Sequence, residues 1–520
     1  MDGSGSGKSA SYVIPNACQL LGSYVFTDPK GELYDLTAGY LEANGYQIKV
    51  LNLVRPQNSD GYNPLLHIKN EIDVDVIANT IVKGQNTMNS SDPFWDDMAE
   101  MLLKALIYYL KAVRPPEEQN LAGCSELVRA ANSNGGDNLL TNLISQLPYD
   151  HPARMNYKSI EIAPEKTYGS ILSSLQSKLG KFDSREIAEL TSTNTINFED
   201  IGSKKTAVYV ISSDTHAAYD FLLTIFFSQM IQQLYDFADD NGGALKTPTY
   251  FLLDEFANIG KIPDFDKKIS TSRSRKISFS VILQNLDQLE AVYDKSYETI
   301  MGNCDTHVFL GSNSQKTVEY FSKALGEKTI FRESESVNKD RADWKQGKSV
   351  SEQNMARALL TPDELRRMDV DECIIYEKGL KPIKANKYYY YKYNTVKTIA
   401  PYKVDHNNRE MEDRGVWRKF NPYNPYVEKE EKQELQIEEL DDLFQETPKP
   451  EEKAVTEKKK EKVVENTENV ATTSPEIPMP QEEPETKPQE AKEELTDIQK
   501  ELEAKFDELF GSIENKNNNN

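Results

Sequence analysis

The chain opens with a glycine- and serine-rich run, Asp2 to Ser9, that ends in Gly7-Lys8-Ser9. The spacing is typical of a phosphate-binding loop, in which backbone N–H groups surround phosphates, a lysine adds positive charge and a hydroxyl ligates Mg2+. A chain with such a loop is constrained to an α/β fold that presents the loop at a sheet edge. The predicted nucleotide-binding residues of the loop are Gly3, Ser4, Gly5, Ser6, Gly7, Lys8 and Ser9, and Ser9 is also a predicted metal ligand.

Two features of this loop depart from the full pattern. Asp2 stands where the pattern has its first glycine, and the strand that normally leads into such a loop would precede Met1. Runs of glycine and serine are also typical of flexible linkers. A helical pattern over Ala10–Leu21 favours the phosphate-binding interpretation.

A second informative motif lies far downstream, where the predicted apolar strand Thr249–Leu253 is followed by the acidic residues Asp254 and Glu255. A carboxylate at the end of such a strand can hold Mg2+, and the next one can orient an attacking water. We assign Asp254 to the metal and Glu255 to the catalytic water as general base. Together with Lys8 and Ser9, this pair predicts ATP and Mg2+ as cofactors, although an acidic surface turn is the alternative for the pair alone.

Two further groups of residues are catalytic candidates. A predicted strand over Ile277–Gln284 ends in Gln284, which can sense a γ-phosphate or simply terminate the strand. Just before it, Arg273 and Arg275 lie in the densest basic cluster of the predicted folded part. In ring ATPases an arginine from one subunit stabilises the charge that develops on the γ-phosphate in its neighbour. Arg275 is the first choice for this role and Arg273 the second, with a solvated turn as the alternative.

The beginning of the chain has a βαβ pattern, with strands over Tyr24–Thr27 and Gln47–Leu51 and a helix over Glu32–Asn44. This alternation predicts a parallel sheet covered by helices, with ligands at the carboxyl ends of the strands. Asp28 follows the first of these strands and is a candidate nucleotide contact. A turn in which Pro29 opens the next helix is the competing interpretation.

The long interval before Asp254 predicts an inserted domain. Apolar residues recur at helical spacing from about 91 to 190, so we expect an all-α domain there. Further strands are predicted over Ala207–Ser212, His307–Leu310, Cys373–Tyr376 and Ile383–Tyr391. The predicted organisation is a nucleotide-binding domain in two parts, 1–90 and 191–427, around the all-α domain 91–190, followed by a tail, 428–520.

Charge and cysteine content limit the possible functions. The formal net charge is −23, but residues 428–520 hold 28 acidic and 13 basic residues, so the rest of the chain is only mildly acidic. Any contact with nucleic acid must therefore use a local basic surface. The four cysteines are widely spaced and predict buried thiols. No apolar run reaches the length of a membrane span, since Phe221–Met230 is too short.

The tail is rich in Glu, Lys, Pro, Gln and Asn and has few aromatic residues, which predicts disorder. Two short amphipathic patterns within it, around Leu440–Phe444 and Phe506–Phe510, suit bivalent docking to a partner. Chance similarity within a Glu/Leu-rich segment is the alternative.

Taken together, the motifs resemble the TraG/TraD family of type IV secretion coupling proteins, the ATPases of conjugation. The resemblance runs from Gly5 to about Tyr391 and includes Gly7-Lys8-Ser9, Asp28-Pro-Lys-Gly-Glu32, Asp254-Glu255, Arg273-Ser-Arg275 and Gln284. It implies a RecA-like P-loop NTPase domain, an all-α domain and a homo-hexamer with ATP between subunits. It also implies that the protein drives single-stranded DNA joined to a relaxase and its relaxosome into the type IV secretion channel. The expected location is the cytoplasmic face of the cell membrane.

Members of that family usually carry an N-terminal membrane anchor and a strand before the P-loop, and this sequence shows neither, which makes its ATPase activity uncertain. Two other functions stay open at this point. One is a DNA translocase similar to FtsK or HerA, and the other is a nucleotide-gated relaxosome adaptor that hydrolyses little ATP.

Overall fold

The computed structural model describes residues 7–84, 93–131, 138–213, 219–337, 348–410 and 413–420. All of them belong to one compact unit, Met1–Ile437. The predictions for the loop residues Gly3, Ser4, Gly5 and Ser6, and those for the tail 428–520, lie outside the described residues.

A parallel sheet of five strands forms the centre of this unit, in the order β2-β3-β1-β4-β5. In register, Val25 of the middle strand lies beside Val208 on one side and Phe251 on the other. All four strand pairs are parallel, so the carboxyl ends of the strands lie at one edge of the sheet. The strands are β1 (Ser23–Thr27), β2 (Gln47–Asn52), β3 (Thr206–Ile211), β4 (Thr249–Leu253) and β5 (Ile277–Val281).

Both faces of this sheet are buried because strand residues alternate between two apolar cores. Tyr24 and Phe26 belong to one core, in which Phe26 stacks on Tyr209 with ring centroids 4.8 Å apart. Val25 belongs to the other core, with Phe251. This arrangement is the α/β fold that the βαβ pattern predicted.

Helices cover both faces and extend into a helical region between β2 and β3. Helices α1 and α2 contribute to the core around Phe26, whereas α3 and α11 contribute to the core around Val25. The helices of the described chain are α1 (Ile14–Ala17), α2 (Glu32–Ala43), α3 (Glu71–Lys83), α4 (Pro93–Val113), α5 (Leu121–Ala131), α6 (Leu139–Ser145), α7 (Pro152–Glu161), α8 (Glu165–Leu179), α9 (Arg185–Ser192), α10 (Phe198–Ser203), α11 (Asp220–Asp240), α12 (Phe265–Thr271), α13 (Leu286–Tyr293), α14 (Ser296–Asn303), α15 (Gln315–Leu325), α16 (Pro362–Arg366) and α17 (Thr395–Ile399).

The helical region is built around α4, which packs against α3, α7 and α8. Leu102, Leu106 and Leu110 recur every four residues along α4 and are fully buried. Between β2 and β3, the residues that the structure describes form helices and no strand. These helices share one continuous apolar core with the sheet. The domain boundaries at 91 and 190 therefore stay a prediction.

A second, antiparallel sheet follows the parallel one in sequence and contains β6 (Thr306–Phe309), β9 (Glu372–Glu377) and β10 (Ile383–Asn386). The strands predicted near these positions are thus present but form their own sheet, packed on α15 and α16. A hairpin of β7 (Glu327–Val337) and β8 (Lys348–Ala358) was not predicted. Both of its strands are mostly polar in sequence, so they lack the regular alternation of apolar and polar residues by which a strand is recognised.

Three predicted elements are shorter in the structure. The helix predicted over Ala10–Leu21 opens with a π-helical turn, Ser9–Val13, and α1 ends at Ala17. The strand predicted to reach Gln284 ends at Val281, because its partner β4 ends at Leu253 and the backbone then turns at Glu255, where φ is 53°. The strand predicted to reach Tyr391 ends at Asn386, beyond which the chain forms a 3-10 turn at Tyr390–Lys392.

Replacing Gly22 tests how tightly the chain packs where β1 and β4 begin. A Cβ at this position meets the backbone carbonyl oxygen of Pro248 at 2.2 Å. Because that oxygen also accepts a hydrogen bond from Ser23 N, at 2.8 Å, it cannot move freely. We expect Gly22→Ala to lower the free energy of unfolding by about 1–3 kcal/mol.

The control is Gly169→Ala in α8, where a Cβ meets no atom within 4 Å. Alanine is favoured over glycine inside a helix, so this variant is expected to gain about 0.5–1 kcal/mol. Urea unfolding of both variants measures the difference, and equal stability of the two would show that the β1–β4 junction is not tightly packed.

Candidate functional site

The end of the N-terminal loop, Gly7-Lys8-Ser9, lies at the carboxyl edge of the sheet. Gly7 has φ of 70°, a left-handed conformation that favours glycine, and its carbonyl accepts a hydrogen bond from Ser11 N at 2.7 Å. The helical turn that follows begins at Ser9. The backbone at this point has the geometry of a loop leading into a helix, as phosphate-binding loops have.

Lys8 lies against the acidic end of β4. Its Nζ is 2.9 Å from Oε1 of Glu255, and only 9% of the Lys8 side chain and 18% of the Glu255 side chain are exposed. A lysine held this far from bulk solvent requires a negative partner. The structure thus brings together two residues that are 247 positions apart in the sequence.

Ser9 and Asp254 form the second contact between the loop and β4. The Ser9 hydroxyl donates to Oδ2 of Asp254 at 2.6 Å. Burial raises the pKa of Asp254, while the Ser9 hydrogen bond and the Lys8 charge act in the opposite direction. A serine hydroxyl and a carboxylate at this separation are oxygen donors of the kind that Mg2+ prefers, so the residues fit the predicted metal.

Thr27 at the end of β1 fixes the position of Asp254. Its hydroxyl donates to the backbone carbonyl of Asp254 at 2.6 Å, in a fully buried bond. Asp254 Oδ1 in turn accepts from the backbone N–H of Glu255 at 3.1 Å. The backbone at the end of β4 is therefore held in place, and each carboxylate has its own partner, Ser9 for Asp254 and Lys8 for Glu255.

Gln284 joins the same group of residues. Its Nε2 donates to Oε1 of Glu255 at 3.0 Å, and its backbone N–H donates to the side chain of Gln288. The structure therefore brings Lys8, Ser9, Asp254, Glu255 and Gln284 together, although their catalytic and binding roles stay predictions.

Asp28 directly follows β1, but its side chain bonds to helix α2 and not to the residues grouped around Glu255. It is 2% exposed, and its Oδ2 accepts from Tyr34 N at 2.8 Å. Burial raises the pKa of Asp28 to about 6, and the backbone N–H groups of Tyr34 and Leu33 counteract part of this effect. The observed contacts are those of the helix-opening turn, and a nucleotide contact stays a prediction.

Arg273 and Arg275 lie at the opposite edge of the sheet, because they precede β5 whereas Asp254 follows β4. Arg275 forms a two-pronged ion pair with Asp239, with both N–O distances 2.9 Å, and its guanidinium lies over the ring of Tyr235. Arg273 is exposed. Neither arginine is brought to Glu255 of its own chain, so a role at γ-phosphate requires a neighbouring subunit.

Tyr389 is a residue of this site that the sequence analysis missed. A Cβ on Gly7 would lie 2.5 Å from the ring of Tyr389, so the ring sits directly on the loop. The Tyr389 hydroxyl donates to the carbonyl of Val370 at 3.2 Å. The four tyrosines at 388–391 lie in the strand predicted over Ile383–Tyr391, and no local pattern in the sequence indicates that one of them turns inward.

Two other sequence expectations concern cysteines and membrane spans. All four cysteines are free thiols, with Cys124 and Cys373 buried and Cys18 and Cys304 partly exposed. Among the described residues, none of the helices combines the length and the apolarity needed to cross a bilayer.

Comparison with solved structures defines the class of fold. TrwBdeltaN70, a bacterial conjugative coupling protein, aligns with a TM-score of 0.54 and 15% identity, over 74% of this chain and 82% of that one. The fold is therefore that of the RecA-like NTPases. The sequence profile described as "Type IV secretory system Conjugative DNA transfer" matches residues 1–413, and the chain belongs to that family.

Curated relatives agree with this assignment. Protein VirD4 of Rhizobium radiobacter is 25% identical over 404 residues, which are 76% of this chain and 57% of VirD4. Conjugal transfer protein TraG of Escherichia coli is 26% identical over 424 residues, 74% of this chain and 66% of TraG. The chain thus spans 57% to 66% of the length of these two relatives.

The raised pKa of Asp28 predicts a pH-dependent stability. The folded state holds the proton of Asp28 up to about pH 6, whereas an unfolded aspartate loses it near 3.8. Burial of the ionised form therefore costs stability that grows as pH rises between these values and is complete above pH 6. Asp28→Asn keeps an acceptor for Tyr34 and removes this cost. We expect the free energy of unfolding of this variant, relative to that of the unchanged protein, to rise by about 2 kcal/mol from pH 4 to pH 7.

Denaturant unfolding across this pH range measures the effect. Asp150→Asn, at an exposed aspartate, is the matched control and should show no such trend. A flat difference for Asp28→Asn as well would show that Asp28 is ionised at no cost in the folded protein.

Proposed function

We propose that this chain is the ATP-dependent coupling protein of a conjugation system. It binds ATP and Mg2+ at the junction of the N-terminal loop with β4 and uses hydrolysis to drive DNA with its relaxase into a type IV secretion channel. The observation that carries this proposal is the pair of contacts Lys8–Glu255, at 2.9 Å, and Ser9–Asp254, at 2.6 Å.

Each residue of the junction has a distinct task in this proposal. Lys8 binds the β- and γ-phosphates once it leaves Glu255, and the loop N–H groups hold the phosphate oxygens. Ser9 and Asp254 hold Mg2+, which neutralises phosphate charge when bound. Glu255, released from Lys8, orients a water and accepts its proton, while Gln284 positions Glu255.

The relatives support this proposal through their own names. VirD4 and TraG match along most of this chain, and TraG is a conjugal transfer protein. TrwB, which shares the fold, has been solved in complex with the non-hydrolysable ATP analogue ADPNP. Family membership favours conjugation over the alternative of an FtsK- or HerA-like translocase.

We further propose a homo-hexamer in which Arg275, or failing that Arg273, completes the site of the next subunit. The position of both arginines at the amino end of β5 supports action between subunits and not within one. Arg275 must then exchange Asp239 for phosphate. The proposed partners are single-stranded DNA, relaxosome proteins and channel components, and the proposed location is the cytoplasmic face of the membrane.

Two substitutions separate binding from hydrolysis. Lys8→Ala removes the phosphate-binding charge, so we expect it to abolish both ATP binding and turnover. Glu255→Gln removes the base alone, so we expect ATP binding to persist while turnover falls by about 100-fold or more. Fluorescent-nucleotide binding and phosphate release measure the two quantities.

A matched ion pair serves as the control for these substitutions. Lys69 Nζ and Glu199 Oε1 form an ion pair of similar length, 2.8 Å, but both side chains are nearly half exposed. Lys69→Ala and Glu199→Gln should therefore leave ATP binding and turnover unchanged. Equal loss of ATP binding in Lys8→Ala and Glu255→Gln would contradict the role of Glu255.

The function itself is tested by ATP hydrolysis with and without single-stranded DNA. We expect hydrolysis that increases when DNA is added and that requires Glu255. ATP binding with negligible hydrolysis under both conditions would overturn the proposal in favour of a nucleotide-gated adaptor.

A further inference from the structure

Two exposed tyrosines are stacked on each other near the end of the described chain, so that each ring covers one face of its partner and the outer face of each is left for another ring. The rings of Tyr388 and Tyr393 are parallel within 5°, with centroids 4.1 Å apart. They are 43% and 46% exposed, so part of each ring faces solvent. The Tyr388 hydroxyl bonds to Thr395 Oγ1 at 3.0 Å, which holds the ring in place. We call this pair the tyrosine platform.

The platform lies in the most basic segment of a strongly acidic chain. Residues 378–404 contain seven lysines and no aspartate or glutamate, whereas the whole chain has a net charge of −23. Three of these lysines pair with acids from outside the segment, at Asp305, Glu372 and Asp371. Lys381, Lys397 and Lys403 are exposed and form no ion pair with any residue that the structure describes. The segment that carries the tyrosines therefore retains net positive charge after these pairs are counted.

The segment that carries the platform is anchored on the nucleotide-binding region. Ile399 is 2% exposed and belongs to the core formed with α2. Val404 N donates to the carbonyl of Asp35 at 3.0 Å, and Tyr389, next to the platform, rests on Gly7. The tyrosine faces are thus fixed before any ligand binds, which lowers the entropic cost of stacking on them.

We infer that the tyrosine platform and the lysines beside it bind single-stranded DNA. Exposed parallel rings stack on bases without regard to sequence, and surrounding lysines attract the phosphate backbone. An acidic peptide satisfies the lysines but leaves the flat ring faces unused, so the platform favours nucleic acid. This inference rests on the proposed function, in which DNA is the substrate, and it assigns the contact to particular residues.

The test measures binding of a fluorescein-labelled oligothymidylate, about 16 nucleotides long, to the full chain by fluorescence anisotropy. We expect Tyr393→Ala to weaken binding by roughly 10-fold, because a stacking face is lost. Tyr393→Phe keeps the ring and is expected to bind as the unchanged protein does. Circular dichroism and thermal unfolding establish that each variant is folded.

Matched controls lie in the helical region. Tyr149→Ala removes a tyrosine that is 77% exposed but is not stacked on another tyrosine in the described chain. Lys397→Glu should weaken binding and lower the slope of the logarithm of the binding constant against the logarithm of the salt concentration by about one. Lys166→Glu, at an exposed lysine of α8, should change neither quantity.

The possible outcomes separate this inference from the proposed function. Selective loss in Tyr393→Ala, with recovery in Tyr393→Phe, supports the platform. Binding by the unchanged protein that Tyr393→Ala and Tyr149→Ala alter equally overturns the platform but leaves DNA as a substrate. Absence of binding by the unchanged protein overturns both. Binding of a labelled peptide of residues 434–446 that Tyr393→Ala weakens, while that substitution leaves oligonucleotide binding unchanged, would assign the surface to the acidic tail and overturn the inference.

Discussion

The candidate site depends on the contact of the N-terminal loop with the end of β4. In a parallel sheet the carboxyl ends of neighbouring strands meet at one edge, so Thr27 of β1 can bond to the backbone of Asp254. That bond fixes the backbone at Asp254, and the carboxylate of Asp254 accepts a hydrogen bond from Ser9. Sheet order thus determines which residues, more than two hundred positions apart, come within hydrogen-bonding distance.

In the proposed function, the electrostatics of this edge link nucleotide binding to the release of Glu255 from Lys8. Lys8 and Glu255 are mostly buried and satisfy each other's charge. A triphosphate offers Lys8 more negative charge than one carboxylate does, so nucleotide binding can compete for the ammonium. Glu255 then keeps Gln284 as a partner, at 3.0 Å, and becomes available to a water. Under the proposed function, the same pair satisfies both buried charges without nucleotide and keeps Glu255 from acting on a water until Lys8 binds phosphate.

Much of this could be predicted from the sequence, because strongly apolar strands and short motifs are local signals. The parallel sheet and the meeting of Lys8, Ser9, Asp254 and Glu255 followed from such signals. The RecA-like class was implied by the family resemblance, and the family assignment is confirmed. What the sequence did not reveal depends on tertiary contacts. Tyr389 turns inward because Gly7 leaves room for its ring, and β7–β8 pair without an apolar pattern. Asp28 bonds to α2, where local chemistry allowed either interpretation.

The most direct test of the account is an experimental structure of the chain with a non-hydrolysable ATP analogue and Mg2+. We predict that Lys8 Nζ leaves Glu255 and contacts the γ-phosphate, and that Mg2+ lies between Ser9 and the Asp254 carboxylate. Glu255 should then face a water near the γ-phosphate. A nucleotide bound elsewhere, or an intact Lys8–Glu255 pair beside a bound nucleotide, would contradict the account.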